Sequence, residues 1–379
     1  MGHRPAVRIA VAGAGPAGLL FALLARRRRP GWSIEVLEQN PPDATFGFGV
    51  VFSQGALEFL ARDAPDLHAA LAARMESWPV QRIVHRGEAV DVDGNGFSAI
   101  ARMDLLAFLQ RLCREAGVAL RFGQRLDAIP AADLVVGADG LNSVVRESGG
   151  FAPRTEWLTN RFAWYGTRQR FECLTLTFRE SPEGAFVAHH YRYSAGMSTF
   201  IVECDEATWR RAGLDRMDDA ASRAHCERVF APDLGGHPLV SNKSTWRRFP
   251  LLSNPVWHVD NRVLIGDALR SMHFSIGSGT RLALEDAIAL DRAFAEAGDD
   301  VPAALAAFER ERRPVVEKLF AAAGASSRWY EDFPARMARF DALGLAYDYM
   351  TRSGRMSDER LRSLAPKFME KVEKELDRQ

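Results

Sequence analysis

The chain has 379 residues, 49 Lys and Arg against 49 Asp and Glu, and 47% hydrophobic residues. Balanced charge excludes a polybasic nucleic-acid binder or membrane-surface protein, because both need clustered positive charge. The length allows two or three units that each bury a core, and four scattered cysteines without a C-x-x-C spacing argue against a disulfide framework or a zinc site. A cytoplasmic location and no metal are therefore expected.

Taken in chain order, Val7 to Ala12 read as a strand, Gly13-Ala14-Gly15-Pro16-Ala17-Gly18 as a turn, and Leu19 to Leu24 as the start of an apolar helix. The uncharged run from Val11 to Ala25 is too short to cross a bilayer, and its basic residues, Arg26 to Arg29, lie on the wrong side for a signal peptide. In this setting G-x-G-x-x-G has a chemical meaning. Gly13 permits the tight turn, Gly15 lets backbone approach a pyrophosphate, and Gly18 lets helix and strand pack closely, with the anion at the helix N-terminus. A second strand, Ser33 to Leu37, ends at Glu38, whose carboxylate suits ribose hydroxyls and disfavours a 2′-phosphate. A glycine turn alone could be ligand-free; the strand, helix and acid together predict a bound dinucleotide.

Strand-like stretches between Trp78 and Ile100 precede a helix opening at Arg102. The run Asp133 to Gly137 then reads as a buried strand delivering Asp139-Gly140 to a loop, with Ser143 and Arg146 at a helix start. From Arg161 to Trp257 the pattern changes. Phe162 to Arg170, Leu174 to Phe178, Ala185 to Tyr193 and Met197 to Glu203 are strand-like and separated by turn signals, which predicts an antiparallel sheet. A helical stretch follows from Asp205 to Phe230. Another buried strand, Arg262 to Ile265, ends in Gly266-Asp267 before a loop with Gly277 and Gly279 and a helix carrying Asp286. Phe308 to Pro314 is helical, as are charge-rich stretches from Ser326 onward.

Each Gly-Asp pair alone is compatible with a helix cap. The three motifs in this order resemble the single-component, FAD-dependent aromatic hydroxylases of the p-hydroxybenzoate hydroxylase type, over nearly the whole chain. The resemblance implies an α/β fold: a Rossmann-like FAD-binding domain at 1–160 plus 258–325, a substrate sheet at 161–257 joined by 78–100, and a C-terminal helical segment at 326–379. It implies that Gly13, Gly15, Pro16, Ala17, Gly18, Glu38 and Gln39 hold the ADP half of FAD, that Arg102, Asp139 and Gly140 lie beside the cofactor, and that Asp267, Gly277, Gly279 and Thr280 meet its flavin end. No second G-x-G-x-x-G is present, so NADH or NADPH is expected to bind transiently. One departure stands out. Where the family has His, Pro and Asn after its Gly-Asp, this chain has Arg270, Phe274 and Arg281.

The strings Trp164 to Thr167, His189-His190-Tyr191, Ser198 to Glu203, Gly236 to Asn242, His273 to Thr280 and Thr351 to Ser353 are similar to the salicylyl-CoA 5-hydroxylases and the monooxygenase half of 2-aminobenzoyl-CoA monooxygenase/reductase. The tryptophan-derivative hydroxylases of violacein biosynthesis share many of them. The resemblance implies that NAD(P)H reduces FAD and that O₂, through a flavin C4a-hydroperoxide, hydroxylates an electron-rich ring such as that of salicyloyl-CoA or 2-aminobenzoyl-CoA. With the chain ending at Gln379, hydroxylation without a fused reductase is expected.

The protein's tasks would be orientation, water exclusion and hydrogen bonding. Candidates are His273, His189, Tyr191 and Thr167, with Trp164, Tyr193, Phe274 and Arg247 around the substrate. Alternation along a strand puts residues 189, 191 and 193 on one face. A coenzyme A moiety would need arginines, and Arg247, Arg248, Arg168, Arg170 and Arg192 are available. The expected partner is a small aromatic molecule, with no nucleic acid or membrane, and the state a monomer or homodimer. Two alternatives remain: a hydroxylase of an indole-derived natural product, and a flavoprotein reductase without oxygen insertion.

Overall fold

The protein is described by a computed structural model covering residues 7–45, 47–277 and 279–377. Arg8–Ala12 and Leu134–Gly137 are apolar on both faces and buried throughout, except for Arg8. Strands buried on two sides pack in the middle of a parallel sheet. They do so here. A six-stranded sheet runs His258–Val259, Arg262–Leu264, Leu134–Gly137, Arg8–Ala12, Ser33–Glu38, Ala119–Phe122, and only the first pair is antiparallel.

Helix Pro16–Arg28 follows the first strand, with Pro16 at its first turn and nine of its residues buried. Helix Gly279–Ala297 packs on it, and the Arg28 guanidinium meets the Asp291 carboxylate at 2.6 Å. All four cysteines are buried and unpaired. No helix among the described residues is long and apolar enough to cross a membrane.

The second sheet has eight strands, in the order Leu239–Ser241, Arg161–Thr167, Ser198–Cys204, Gly184–Arg192, Leu174–Ser181, Glu76–His85, Glu88–Ala101, Gly49–Ser53. All neighbours are antiparallel except Leu174–Ser181 with Glu76–His85. One face of this roof sheet, including Ile83, Leu176, Phe178 and Val187, is covered by Trp329, Phe333, Leu345, Phe368 and other apolar residues of the C-terminal helices.

Several sequence boundaries shift. The expected division at 325/326 falls inside one continuous helix, Val301–Glu331. Pro314 does not end it, so the chain passes from the lower layer to the roof on a single rod. The helical stretch expected from Asp205 to Phe230 is two helices, Glu206–Arg211 and Asp219–Val229, each with an N-cap Asp that accepts a backbone N–H; Gly213, at φ +72°, turns the chain between them. Residues 250–253, within the segment assigned to the roof, pair instead with Arg154–Trp157 in a separate two-stranded sheet.

Candidate active site

The glycine turn is built by steric exclusion. Gly13 has φ +96°, and a Cβ there would lie 2.3 Å from the Ala138 carbonyl oxygen; one on Gly18 would lie 2.2 Å from the Gly13 oxygen. Gly15 is the N-cap of helix Pro16–Arg28 with no side chain over the helix end. The Glu38 carboxylate ties the turn to the second strand: Oε2 accepts the Ala14 N–H at 2.9 Å and Oε1 accepts from Asn40. Gln39 is exposed just beyond it.

Two further strand ends face the same place. Asp139 Oδ2 accepts the Val144 N–H at 2.7 Å, while its Oδ1 is buried with no partner. Burial raises the Asp139 pKa, against hydrogen bonds from Ser143 and the backbone that lower it. Ser143 caps the short helix Val144–Glu147, and Arg146 on that helix donates to the Ala268 oxygen at 3.0 Å, joining the two Gly-Asp loops.

Asp267 is exposed to the cleft, with protein on its other sides, and its carboxylate makes no hydrogen bond to described residues. Burial raises its pKa, and the charges of Arg102 and Arg270 oppose that shift. Arg102, at the start of helix Arg102–Glu115, is held by Thr45 Oγ1 at 3.0 Å, and burial lowers its pKa while Asp267 counters.

The Asp267 turn rests on a buried ionic network. Asp286 accepts the Gly266 N–H at 3.0 Å, Arg270 Nη1 at 2.7 Å and Arg312 Nη2 at 3.1 Å. All three charged residues are nearly inaccessible to solvent.

The cleft has a volume of about 760 Å³ and runs from Gly15, Pro16, Ala17 and Gly140 past Arg102, Asp267, Gly277, Gly279 and Thr280 to the underside of the roof sheet. There it meets Trp164, His189, Tyr191, Ile201, Phe249 and Phe274. An unpaired carboxylate, an orphaned carboxylate oxygen, a helix start without side chains and a glycine turn with no room for Cβ atoms suit an elongated cofactor with phosphates and hydroxyls. The donor set is therefore compatible with a flavin dinucleotide.

Some expected site residues do face this cleft. His189 stacks on Tyr330 with ring centroids 5.2 Å apart and meets the Phe274 ring edge-on. Its Nε2 is buried without a partner. Burial, reinforced by His273 and Arg352, lowers its pKa well below the usual imidazole value, so the ring is neutral. The Trp164 indole N–H is likewise unpartnered.

Other expected residues are used structurally. Tyr191 lines the cleft, but its hydroxyl donates to the Gly49 carbonyl at 3.0 Å. Tyr193 packs its ring against Gly49, and burial pushes its phenol pKa up to about 12. Thr167 is fully buried away from the cleft, and its Oγ1 accepts the Gln169 N–H at 3.2 Å. His273 sits behind Phe274, where Nδ1 accepts the Ser275 N–H and Nε2 faces Glu203 Oε2 at 3.5 Å. Arg247 is exposed over the Phe162 ring. Arg192 is committed to Glu76 at 2.8 Å and to the Phe171 carbonyl, and Arg248 to the Leu158 carbonyl.

Residues 131–323 match the FAD binding domain family. The chain is 40% identical to a salicyloyl-CoA 5-hydroxylase from Streptomyces sp, covering 92% of this chain and 70% of that protein. It is 38% identical to protodeoxyviolaceinate monooxygenase of Chromobacterium violaceum, covering 87% and 91%. The chain belongs to the FAD-dependent aromatic monooxygenases. A tetrameric form of 2-methyl-3-hydroxypyridine-5-carboxylic acid oxygenase shares the fold of this monooxygenase, with a TM-score of 0.70 and 18% identity over 95% of this chain and 96% of that one.

The cleft of this monooxygenase is also lined by residues that motif reading passed over. Gln81 and Asn95, joined by a 2.6 Å hydrogen bond, line the cleft from the two long roof strands, as do Tyr349, Met350, Arg352 and Arg355 from the C-terminal segment. No local pattern marks them, since their chemistry arises only where distant strands and helices meet. Asp286 and Arg312 did stand in recognisable helices, but their pairing spans the layer between them. Among the described residues, no cluster of His, Cys, Asp or Glu could hold a metal.

Proposed function

We propose that this monooxygenase uses NADH or NADPH and O₂ to hydroxylate the ring of an aromatic acyl thioester, such as salicyloyl-CoA to its 5-hydroxylated product, or 2-aminobenzoyl-CoA. The observation that carries the reading is the single cleft joining the glycine and carboxylate end to an aromatic pocket under the roof sheet. The relation to a salicyloyl-CoA hydroxylase supports the substrate class. Gly13, Gly15, Pro16, Ala17, Gly18 and Glu38 would hold the ADP half of FAD. Arg102, Asp139, Gly140, Asp267, Gly277, Gly279 and Thr280 would hold its pyrophosphate, ribityl and ring portions. When bound, FAD supplies the electron transfer from NAD(P)H and the activation of O₂.

This chain's residues then orient, shield and hydrogen-bond. The neutral His189 imidazole lines the cleft among apolar side chains and makes no hydrogen bond to described residues, its Nε2 being buried and unpartnered, which suits a bond to the ring hydroxyl or amine ortho to the thioester. Phe249, Phe274, Trp164 and Ile201 would clamp the ring and keep water from the reacting carbon. Behind them, Glu203 and His273 fix the Phe274 turn through buried contacts.

Stopped-flow reduction of the flavoprotein by NADH tests the proposal, with salicyloyl-CoA, 2-aminobenzoyl-CoA, the free acids or no addition. Acceleration of at least about tenfold by a thioester alone, followed by a hydroxylated thioester product, is the expected result. Acceleration only by indole-derived compounds would move the assignment toward the reaction of the Chromobacterium relative. NADH oxidation without O₂-dependent product would instead indicate a reductase.

A further inference from the structure

The proposed substrate has a second end, and the cleft has a second charged region. Beyond the aromatic pocket it continues between Gln81, Asn95, Tyr349 and Met356 to Arg281, Arg355 and Arg360. Arg355 and Arg360 are exposed, and no carboxylate is paired with either guanidinium among the described residues. Arg281 shares Glu285 with Arg312. Glu58 also lines the cleft, and Asp358 is engaged by the Tyr347 hydroxyl at 2.7 Å. Burial, then the nearby Arg360 and Arg281, lower the pKa of Arg355. Arg355 and Arg360, with no paired carboxylate, repel each other and Arg281, and a bound polyanion relieves that cost.

We propose that Arg281, Arg355 and Arg360 receive the phosphates of coenzyme A while its pantetheine arm passes Gln81 and Asn95 and delivers the aryl thioester to His189. This rests on the thioester reading of the site. Three features favour it over a solvated basic patch. The guanidiniums border the same continuous cleft as the aromatic pocket; the intervening wall presents the Asn95 carboxamide, held in place by Gln81, to the amides of pantetheine; and Met350 and Met356 give adaptable apolar contacts to its methylenes. The arginines that sequence reading offered for this role lie elsewhere. Arg192 and Arg248 are already hydrogen-bonded, and Arg168, Arg170 and Arg247 are exposed outside the cleft.

The test compares wild-type holoenzyme with the double variant R355Q/R360Q and the control R168Q/R170Q, using calorimetric titration with coenzyme A and with pantetheine. Retention of bound flavin and thermal melting verify folding. Loss of coenzyme A affinity by about tenfold or more in R355Q/R360Q, a much smaller change for pantetheine, and wild-type coenzyme A binding by R168Q/R170Q are expected. The wild-type affinity for coenzyme A should also fall as salt rises. Equal coenzyme A binding by wild type and R355Q/R360Q overturns the assignment, as does failure of the wild type to bind coenzyme A. A raised Michaelis constant for NADH with unchanged coenzyme A binding overturns it in favour of the nicotinamide donor's phosphates. The two readings fail separately. Thioester-accelerated flavin reduction with no effect of R355Q/R360Q sinks only the arginine assignment, whereas weakened coenzyme A binding without any thioester acceleration sinks only the hydroxylation substrate.

Discussion

The glycine turn and the aromatic pocket face one cleft but are held in different ways. At the turn, Gly13 donates its N–H to the Leu37 oxygen at 2.8 Å and Ala14 donates to Glu38, so the loop is fixed by the next strand in the chain. In the pocket, Trp164, His189, Phe274 and Tyr349 come from two roof strands, a 3-10 turn and a C-terminal helix. A site of the first kind tolerates little local change. One of the second kind depends on long-range packing and can be retuned for a different ring without disturbing the turn.

The hardest way to break this comparison is at the ionic network beneath Asp267. Asp286→Ala would leave Arg270 buried without a counter-ion and Arg312 with Glu285 alone, at a cost of about 3–5 kcal/mol. A thermal melt should show a large drop, with flavin loss preceding unfolding of the roof. An unchanged melting temperature would mean that the network does not hold the turn.

Acid separates the two regions next. Burial, with Arg179 nearby, lowers the His190 pKa from 6.5 to about 3, and His189 beside it shifts the same way. As pH falls below 6.5, the unfolded chain takes up a proton that the folded roof refuses. Stability present above pH 6.5 is therefore lost between pH 6.5 and about 3, with a slope of about 1.4 kcal/mol per pH unit for each such group. His190→Gln can still bond Thr177, which His190 meets at 2.9 Å, but cannot titrate. Denaturant melts across that range should show a shallower pH slope for the variant; parallel slopes would assign the acid sensitivity elsewhere.

The smallest effect is expected at Tyr191→Phe. If the hydroxyl serves only to tie the roof strand to Gly49, its removal costs about 1 kcal/mol and leaves the substrate Michaelis constant unchanged. A rise of more than about tenfold in that constant, an effect above 1.4 kcal/mol, would return Tyr191 to a substrate-binding role.

The difference also explains which expectations could be read from the chain. Strand periodicity correctly puts His189 and Tyr191 on one face, but period-two alternation cannot say that the strand Gly49–Ser53 has already taken the Tyr191 hydroxyl. Thr167 stands at a strand end, where its side chain satisfies the following turn. Arg247 pairs through its backbone with Phe162, which carries its side chain out of the cleft. The departure at Arg270 is explained only by contact with Asp286 from the following helix.

By itself, the sequence determined the parts governed by short-range rules: the apolar strands, the turn where Gly13 and Gly18 have no room for a Cβ, and the carboxylates at the strand ends. Steric exclusion and strand alternation act over a few residues, so they leave a local pattern. Tertiary structure alone decided which histidine stays without a hydrogen-bond partner, which tyrosine is spent on a carbonyl, and how the C-terminal arginines reach the cleft. Those outcomes depend on hydrogen-bond satisfaction and burial between segments far apart in the chain, and neither is written in the spacing of residues.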